Sequence, residues 1–277
     1  MSLTTNLRTI RAVMSRDFRL SLTYRSWVIN RMLGPIVWVS ISVYAYIGIA
    51  SPDDIGKGFE FWTSDANFTG FLIVGQVIFQ LFLAMTWWGG MAIERERMYG
   101  TLELIFAAPI SRSAYVIGES MFGVLNSGWT VFFAAVVAAL LFTITFSIAS
   151  VPLVIIAFLL TLASMLALGL FFAGLFVLSR SSGPLAFAIA APMRFFSGTM
   201  FPVAALPAAI QAVSFALPLT YGLTAIRKAL LSGGTFESVA TELGALLLLT
   251  VICGTLGLLM IKKMEEVAKM KGTLHQY

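Results

Sequence analysis

Residues 151–179 read VPLVIIAFLLTLASMLALGLFFAGLFVLS, an apolar run without a charge. A helix crosses a hydrocarbon core in about 20 residues, so this stretch is long enough to span a bilayer with some tilt. Working outward from it, further apolar runs fall at 118–147 and 184–204, then at 68–92, 239–261 and 31–50. Six such runs predict an all-α integral membrane protein of six spans with both ends on one side. Composition points the same way: 59% of the 277 residues are hydrophobic and 11% are charged. Typical soluble domains carry roughly 45–50% and about 25%. The length leaves little over for a soluble ATPase or receptor module.

Charge sets the orientation. The segments at 1–31, from Glu94 to Arg112, Arg180 and the tail at 262–277 together carry fourteen Lys and Arg, whereas the other side has only Lys57, Arg227 and Lys228. By the positive-inside rule both termini are expected in the cytoplasm, and the basic residues act as topology signals and not as a nucleic-acid patch. The arginine-rich start lacks a short apolar core with a small-residue cleavage site, so it does not read as a cleaved signal. Within 1–29, Leu3, Leu7, Ile10, Met14 and Phe18 recur at helical spacing with Arg8, Arg11, Arg16 and Arg19 off that stripe. This predicts an amphipathic helix lying in the membrane interface, the alternative being a helix packed on the protein's own core. Pro35 falls in the first turns of the first span, where a missing N–H costs least. The loop at 51–66 is short and acidic, with Trp62 near the interface. Asn67-Phe68-Thr69 matches a glycosylation sequon but abuts the second span, and the chain reads as prokaryotic.

The apolar pattern breaks twice. After Trp87 and Trp88, suited to an interfacial belt, the chain continues MAIERERMYGTLELIFAAPISR over 91–112. Leu102, Ile105 and Phe106 share one face of a short helix with Glu103 on another, and Pro109 cannot continue it. Such a helix on the cytoplasmic side is a natural docking knob for a soluble partner, against the reading of an ordinary loop with a solvated charge run. The second break holds five of the nine prolines, Pro184, Pro192, Pro202, Pro207 and Pro218. Each proline removes a backbone hydrogen bond, so the fifth span is expected to kink near Pro192 and end near Ser197-Gly198 or Pro202. One or two short helices over 205–232 then dip into or lie on the external leaflet. Irregular backbone at that depth is tolerated only where it is buried in protein or lines a cavity, which makes it a candidate external gate.

The two breaks together resemble the permease subunits of type-2 ATP-binding-cassette transporters. Glu94-Arg95-Glu96-Arg97 followed by Gly100-Thr101-Leu102-Glu103 and Pro109 resembles that family's coupling segment. Phe196-Ser197-Gly198, Phe201-Pro202, Leu206-Pro207, Leu217-Pro218-Leu219-Thr220-Tyr221 and Arg227 resemble its signature between spans five and six. The resemblance covers nearly the whole chain. It implies a dimer, with a second copy or a paralogue, docked on a separate ATPase subunit that binds ATP and Mg, and usually exporting its cargo. No G-x-x-x-x-G-K-[ST] phosphate loop occurs in this sequence, so ATP is expected on the partner. Contacts to that partner fall to residues 99–110, namely Tyr99, Gly100, Thr101, Leu102, Glu103, Ile105, Phe106 and Pro109, with Glu94, Glu96 and Arg97 linking them to span two.

Polar residues within the spans are few. Gln76 and Gln80 lie one turn apart on span two and either meet a passing substrate or join helices. Asn126, Ser127 and Thr130 read as packing contacts. Arg194, some way into span five, is a substrate-path candidate or an anchor for an anionic headgroup, with no evident protein partner. Phe195, Phe196, Met200 and Phe201 offer an apolar constriction, beside the gate signature of Ser197, Gly198, Pro202, Pro207, Pro218 and Tyr221. A secondary transporter would need midplane carboxylates, and the spans hold only Glu119 and Glu242, each near an edge. His275, the sole histidine, and Cys253, the sole cysteine, provide no catalytic triad, disulfide or metal cluster. A hydrophobic or amphipathic cargo such as a drug, antibiotic or lipid is therefore expected, with polysaccharide or lipid-linked glycan as the rival.

Overall fold

A computed structural model describes residues 3–23, 68–141, 150–177 and 182–271, together with a few isolated positions between 29 and 44; the side chains of 264–271 and of several residues between 130 and 141 are not included. Most of the first predicted span, the loop at 51–66, the sequon asparagine, Arg25, Arg31, Lys57, Arg180 and His275 lie outside the described residues. Among the described residues the chain is helical, with no strand. It is an all-α membrane protein. Among the described residues three helices are long and apolar enough to cross a bilayer, Phe68–Gly90, Val151–Phe176 and Phe236–Lys263.

The elements are α1 (Leu3–Thr23), α2 (Phe68–Ala84) prolonged by a π-helical turn at Met85–Gly90, α3 (Ala92–Met98), α4 (Leu102–Ala107), α5 (Arg112–Leu141), α6 (Val151–Val177), α7 (Ser182–Phe196), α8 (Ala208–Phe215), α9 (Pro218–Leu230) and α10 (Phe236–Lys271). A 3-10 turn at Val203–Ala205 precedes α8. Burial falls outward from α2: 72% of its spanning window is buried, against 50% for α6 and 17% for α10. Thus α2 is the core helix, and the outer face of α10, with Leu248 and Leu259 about 60% exposed, suits acyl chains. Apolar side chains of α2, α6 and α9, among them Phe82, Met165 and Leu223, fill the interior between them.

Helices α6 and α10 run parallel, since Ser164 pairs with Thr250 through a 2.6 Å hydroxyl contact and Leu170 lies against Gly257 farther along both. Where α2 widens into its π turn, the Met91 N–H reaches back to Thr86 O at 3.1 Å, five residues earlier. Gly89 in that turn lies against Ser120 of α5, where an added Cβ would come within 2.1 Å of the hydroxyl. Helix α1 packs on α5 through Thr9, Val13, Asp17 and Ser21, an i, i+4 stripe different from the apolar one. The apolar stripe is partly open: Leu7 is 65% and Phe18 53% exposed, whereas Ile10 and Met14 are half-buried. Packing on the protein's own core, one of the two alternatives for α1, thus describes its Thr9–Ser21 face.

Candidate functional site

The two sequence breaks occupy opposite ends of α2. At the Gly90 end, the π turn leaves carbonyls off the regular ladder, and Arg95 of α3 turns back to them. It donates to Trp87 O at 2.6 Å and Trp88 O at 3.3 Å, with its guanidinium 4.6 Å from the Trp88 ring. Arg95 also pairs with Glu119 of α5, a side chain only 1% exposed. Arg16 of α1 pairs with the same carboxylate, with Asp17 at 2.8 Å and with Glu96 of α3 at 3.0 Å. The Tyr115 hydroxyl lies 2.6 Å from Glu96 and 2.9 Å from Glu119, and accepts from Arg16 at 3.2 Å. Glu96 in turn accepts the Thr101 hydroxyl, while its backbone carbonyl takes the Thr101 N–H at 2.9 Å. One charge network thus joins α1, the end of α2, α3, α5 and the residue that opens α4.

Buried carboxylates survive only when paired and hydrogen-bonded, and these are. Burial raises the Glu96 carboxyl, but the hydrogen bonds from Thr101 and Tyr115 and the charge of Arg16 outweigh it, so its pKa lies below the ordinary value. Burial and then the Glu119 charge push the Tyr115 phenol well above its usual range, which keeps it protonated as a donor. Glu94 pairs with Arg97 one turn on, and both glutamates are buried.

What this network mounts is α4. Leu102, Ile105 and Phe106 are half-buried against an apolar cluster that includes Tyr115, Val116 and Ile261, while Glu103 and Leu104 are exposed. Met98, Tyr99 and Leu104 are about 70% exposed, and Pro109 is also on the surface. Gly100 makes the turn before α4 at φ +69°, a left-handed conformation that glycine adopts without strain. Arg112 closes the structure from behind, donating to Phe106 O at 2.8 Å and to Ile110 O, with its guanidinium 4.8 Å from the Phe106 ring. The residues the sequence reading assigned to the segment divide accordingly: Glu94, Glu96 and Arg97 belong to the mount, and Tyr99, Glu103 and Pro109 to the outer face. Sequence reasoning missed Arg16, Tyr115 and the pairing role of Arg95. The available signal was the polar i, i+4 stripe on α1 that includes Asp17.

At the Phe68 end, α7 contains Pro192 and stops at Phe196. Gly198 follows at φ +78°, and Ser197 and Thr199 pair through their hydroxyls at 2.8 Å. The prolines punctuate what comes next: Pro202 precedes the 3-10 turn, Pro207 precedes α8 and Pro218 is the first residue of α9. Helices α8 and α9 meet at 88°, a re-entrant corner or a broken span. Tyr221 ties them together by donating to Phe215 O at 2.9 Å.

The break is held by Arg227 of α9. Its guanidinium donates to Gly198 O at 2.7 Å, Thr199 O at 3.0 Å and Phe71 O at 2.9 Å, and lies 3.3 Å from the Phe71 ring centroid. One side chain thereby ties carbonyls just beyond the end of α7 to a carbonyl in the first turn of α2. The sequence reading counted Arg227 as a topology charge and as the last residue of the signature; its grip on three carbonyls is a tertiary fact. Gly75 makes room for it, since an added Cβ would meet Thr199 O at 2.2 Å and the Arg227 terminal nitrogen at 2.5 Å.

Arg194 has a partner after all: it donates to Gln76 Oε1 at 2.9 Å and sits 5.5 Å from the Phe79 ring. Gln76 is buried and Gln80 half-buried on α2. Phe195 and Phe201 stack at 6.5 Å, while Phe196 and Met200 beside them are half-buried. Among the described residues no group of His, Cys, Asp and Glu is arranged to hold a metal ion.

A protein-family model described as ABC-2 type transporter matches residues 8–231, from α1 through the end of α9. The chain belongs to that family. The ABC-2 type match encloses both the charge-mounted α4 and the Arg227 lock, and makes this protein the membrane-embedded permease part of an ABC transporter. No curated protein matches the chain.

Proposed function

We propose that this ABC-2 permease is half of an ATP-driven exporter, coupled through α4 to a separate ATPase subunit that binds ATP and Mg, and paired with a second permease copy or paralogue. The reading has six spans with both termini and α4 in the cytoplasm of a prokaryotic cell membrane, and the Arg227 end facing out. The observation that carries it is the contrast within one short segment: Met98, Tyr99 and Leu104, at the end of α3, in the turn and on α4, are about 70% exposed beside carboxylates that are buried and ion-paired. An exposed apolar knob on a stiff base passes a push to what it is mounted on. Here that base reaches the π turn of α2 through Arg95, and α2 reaches the opposite break through Phe71. Nucleotide-driven closure of the partner would tilt α2 and α7 and open the region from Gly198 to Pro218.

The cargo is hydrophobic or amphipathic. Gln76 and Arg194, which pair with each other beside Phe79, offer the polar contacts along that path. Co-expression with an ATPase encoded beside it, followed by copurification and substrate-stimulated ATP hydrolysis in proteoliposomes, tests the reading. Transport by the chain alone in ATP-free vesicles would overturn it.

A further inference from the structure

A cavity of about 420 Å³ lies between the break at Ser197–Gly198, helices α8 and α9, and the start of α10. That is within the range of small-molecule pockets, roughly 300–1,000 Å³. Three buried polar atoms of its lining residues have no hydrogen-bond partner among the described residues: Thr220 Oγ1, Arg227 Nε and Glu242 Oε2. Buried polar groups are rarely left so, and three around one space ask for an occupant with matching groups. Thr220 and Arg227 are 3% and 8% exposed, so they form the floor, whereas the Lys228 side chain, 44% exposed, stands at the mouth.

The charges narrow the chemistry. Lys228 and Glu242 neutralise each other at 2.6 Å through Glu242 Oε1. Arg227 donates to backbone carbonyls, and among the described residues no carboxylate pairs with it. A simple anion would balance Arg227 but face the bare Glu242 oxygen. A simple cation would satisfy Glu242 but face Arg227. A neutral polyol would fill the hydrogen bonds and leave the arginine charge uncompensated. We propose that this cavity binds a zwitterion in which an oxyanion and a primary ammonium are joined by a short chain, as in phosphoethanolamine. The oxyanion sits over Arg227 and Thr220, and the ammonium donates to Glu242 Oε2, against a wall that includes Phe71 and Phe215. The group comes either from an aminophospholipid headgroup or from a free solute. The inference is independent of the export reading.

Calorimetric titration of the purified full-length chain in detergent tests it, with phosphoethanolamine, inorganic phosphate, ethanolamine and glucose as probes. Phosphoethanolamine is expected to bind at least about tenfold more tightly than the other three. Glu242→Gln is expected to weaken phosphoethanolamine by about tenfold without weakening phosphate, and Thr220→Val to weaken both. If one variant fails to fold, the other carries the test. Native mass spectrometry from phosphatidylethanolamine nanodiscs distinguishes the sources: a retained lipid displaced by soluble phosphoethanolamine assigns the headgroup, and no retained lipid assigns the solute. Absence of binding to the folded wild-type chain, equal binding of phosphate or glucose, or unchanged affinity in both variants would overturn the proposal.

Discussion

Gly75→Ala adds one methyl group and is expected to destabilise the protein more than most point substitutions. On an exposed helix the change would be favourable by about 1 kcal/mol, because alanine is the better helix former. Here the new Cβ would lie 2.2 Å from Thr199 O and 2.5 Å from the Arg227 terminal nitrogen, distances real Cβ contacts do not show. Neither neighbour yields freely. Thr199 O belongs to backbone, and that nitrogen is shared between Thr199 O and Phe71 O at 3.0 and 2.9 Å. Overpacking alone costs about 1–3 kcal/mol. Each hydrogen bond from a charged group that is broken costs about 1.5–3 kcal/mol more. Even with one bond lost and the helix-propensity gain subtracted, the net loss is about 1.5–5 kcal/mol. Gly244 of α10 provides the control, because nothing lies within 4 Å of its built Cβ. Denaturant or thermal unfolding of both variants in the same detergent measures the difference. Equal stability of Gly75→Ala and Gly244→Ala would refute the close packing of α2 on the Arg227 lock.

Three further outcomes follow from the geometry. Tyr99→Ala and Leu104→Ala remove exposed atoms, so each is expected to shift stability by less than about 0.5 kcal/mol while reducing ATPase-coupled transport several-fold; unfolding midpoints and vesicle transport, measured together, check the split. Tyr115→Phe removes the hydroxyl from between Glu96 and Glu119 and is expected to cost about 1–3 kcal/mol, read from the same unfolding curves. The Glu96 carboxyl titrates below its ordinary range in the folded chain, so its stabilising contribution is present above the unfolded value and fades as pH falls through the folded one. The stability difference between wild type and Glu96→Gln should therefore shrink on acidification from neutral pH, and a difference independent of pH would count against the network.

Hydrophobic run length is a local property, so the sequence alone was enough to make this an all-α membrane protein and to mark both places where the helices break. Leu102, Ile105 and Phe106 could be put on one face of α4 because helical period is local too. Proline positions likewise announced where backbone hydrogen bonds would be lost between α7 and α9. Partner identity was not legible, because a charge does not specify which distant charge it meets. Arg16 and Arg95 looked like topology signals, and only folding brought them to Glu119 across 103 and 24 positions of chain. Arg194 had no evident neighbour until Gln76, 118 residues away, was placed beside it. The same holds for Arg227, whose three acceptors are backbone carbonyls that no side-chain pattern encodes. The sequence by itself determined that this is a helical membrane protein and where its apolar pattern breaks; tertiary packing decided which arginines hold those breaks, since a buried guanidinium is fixed by whichever oxygens the fold brings within its reach.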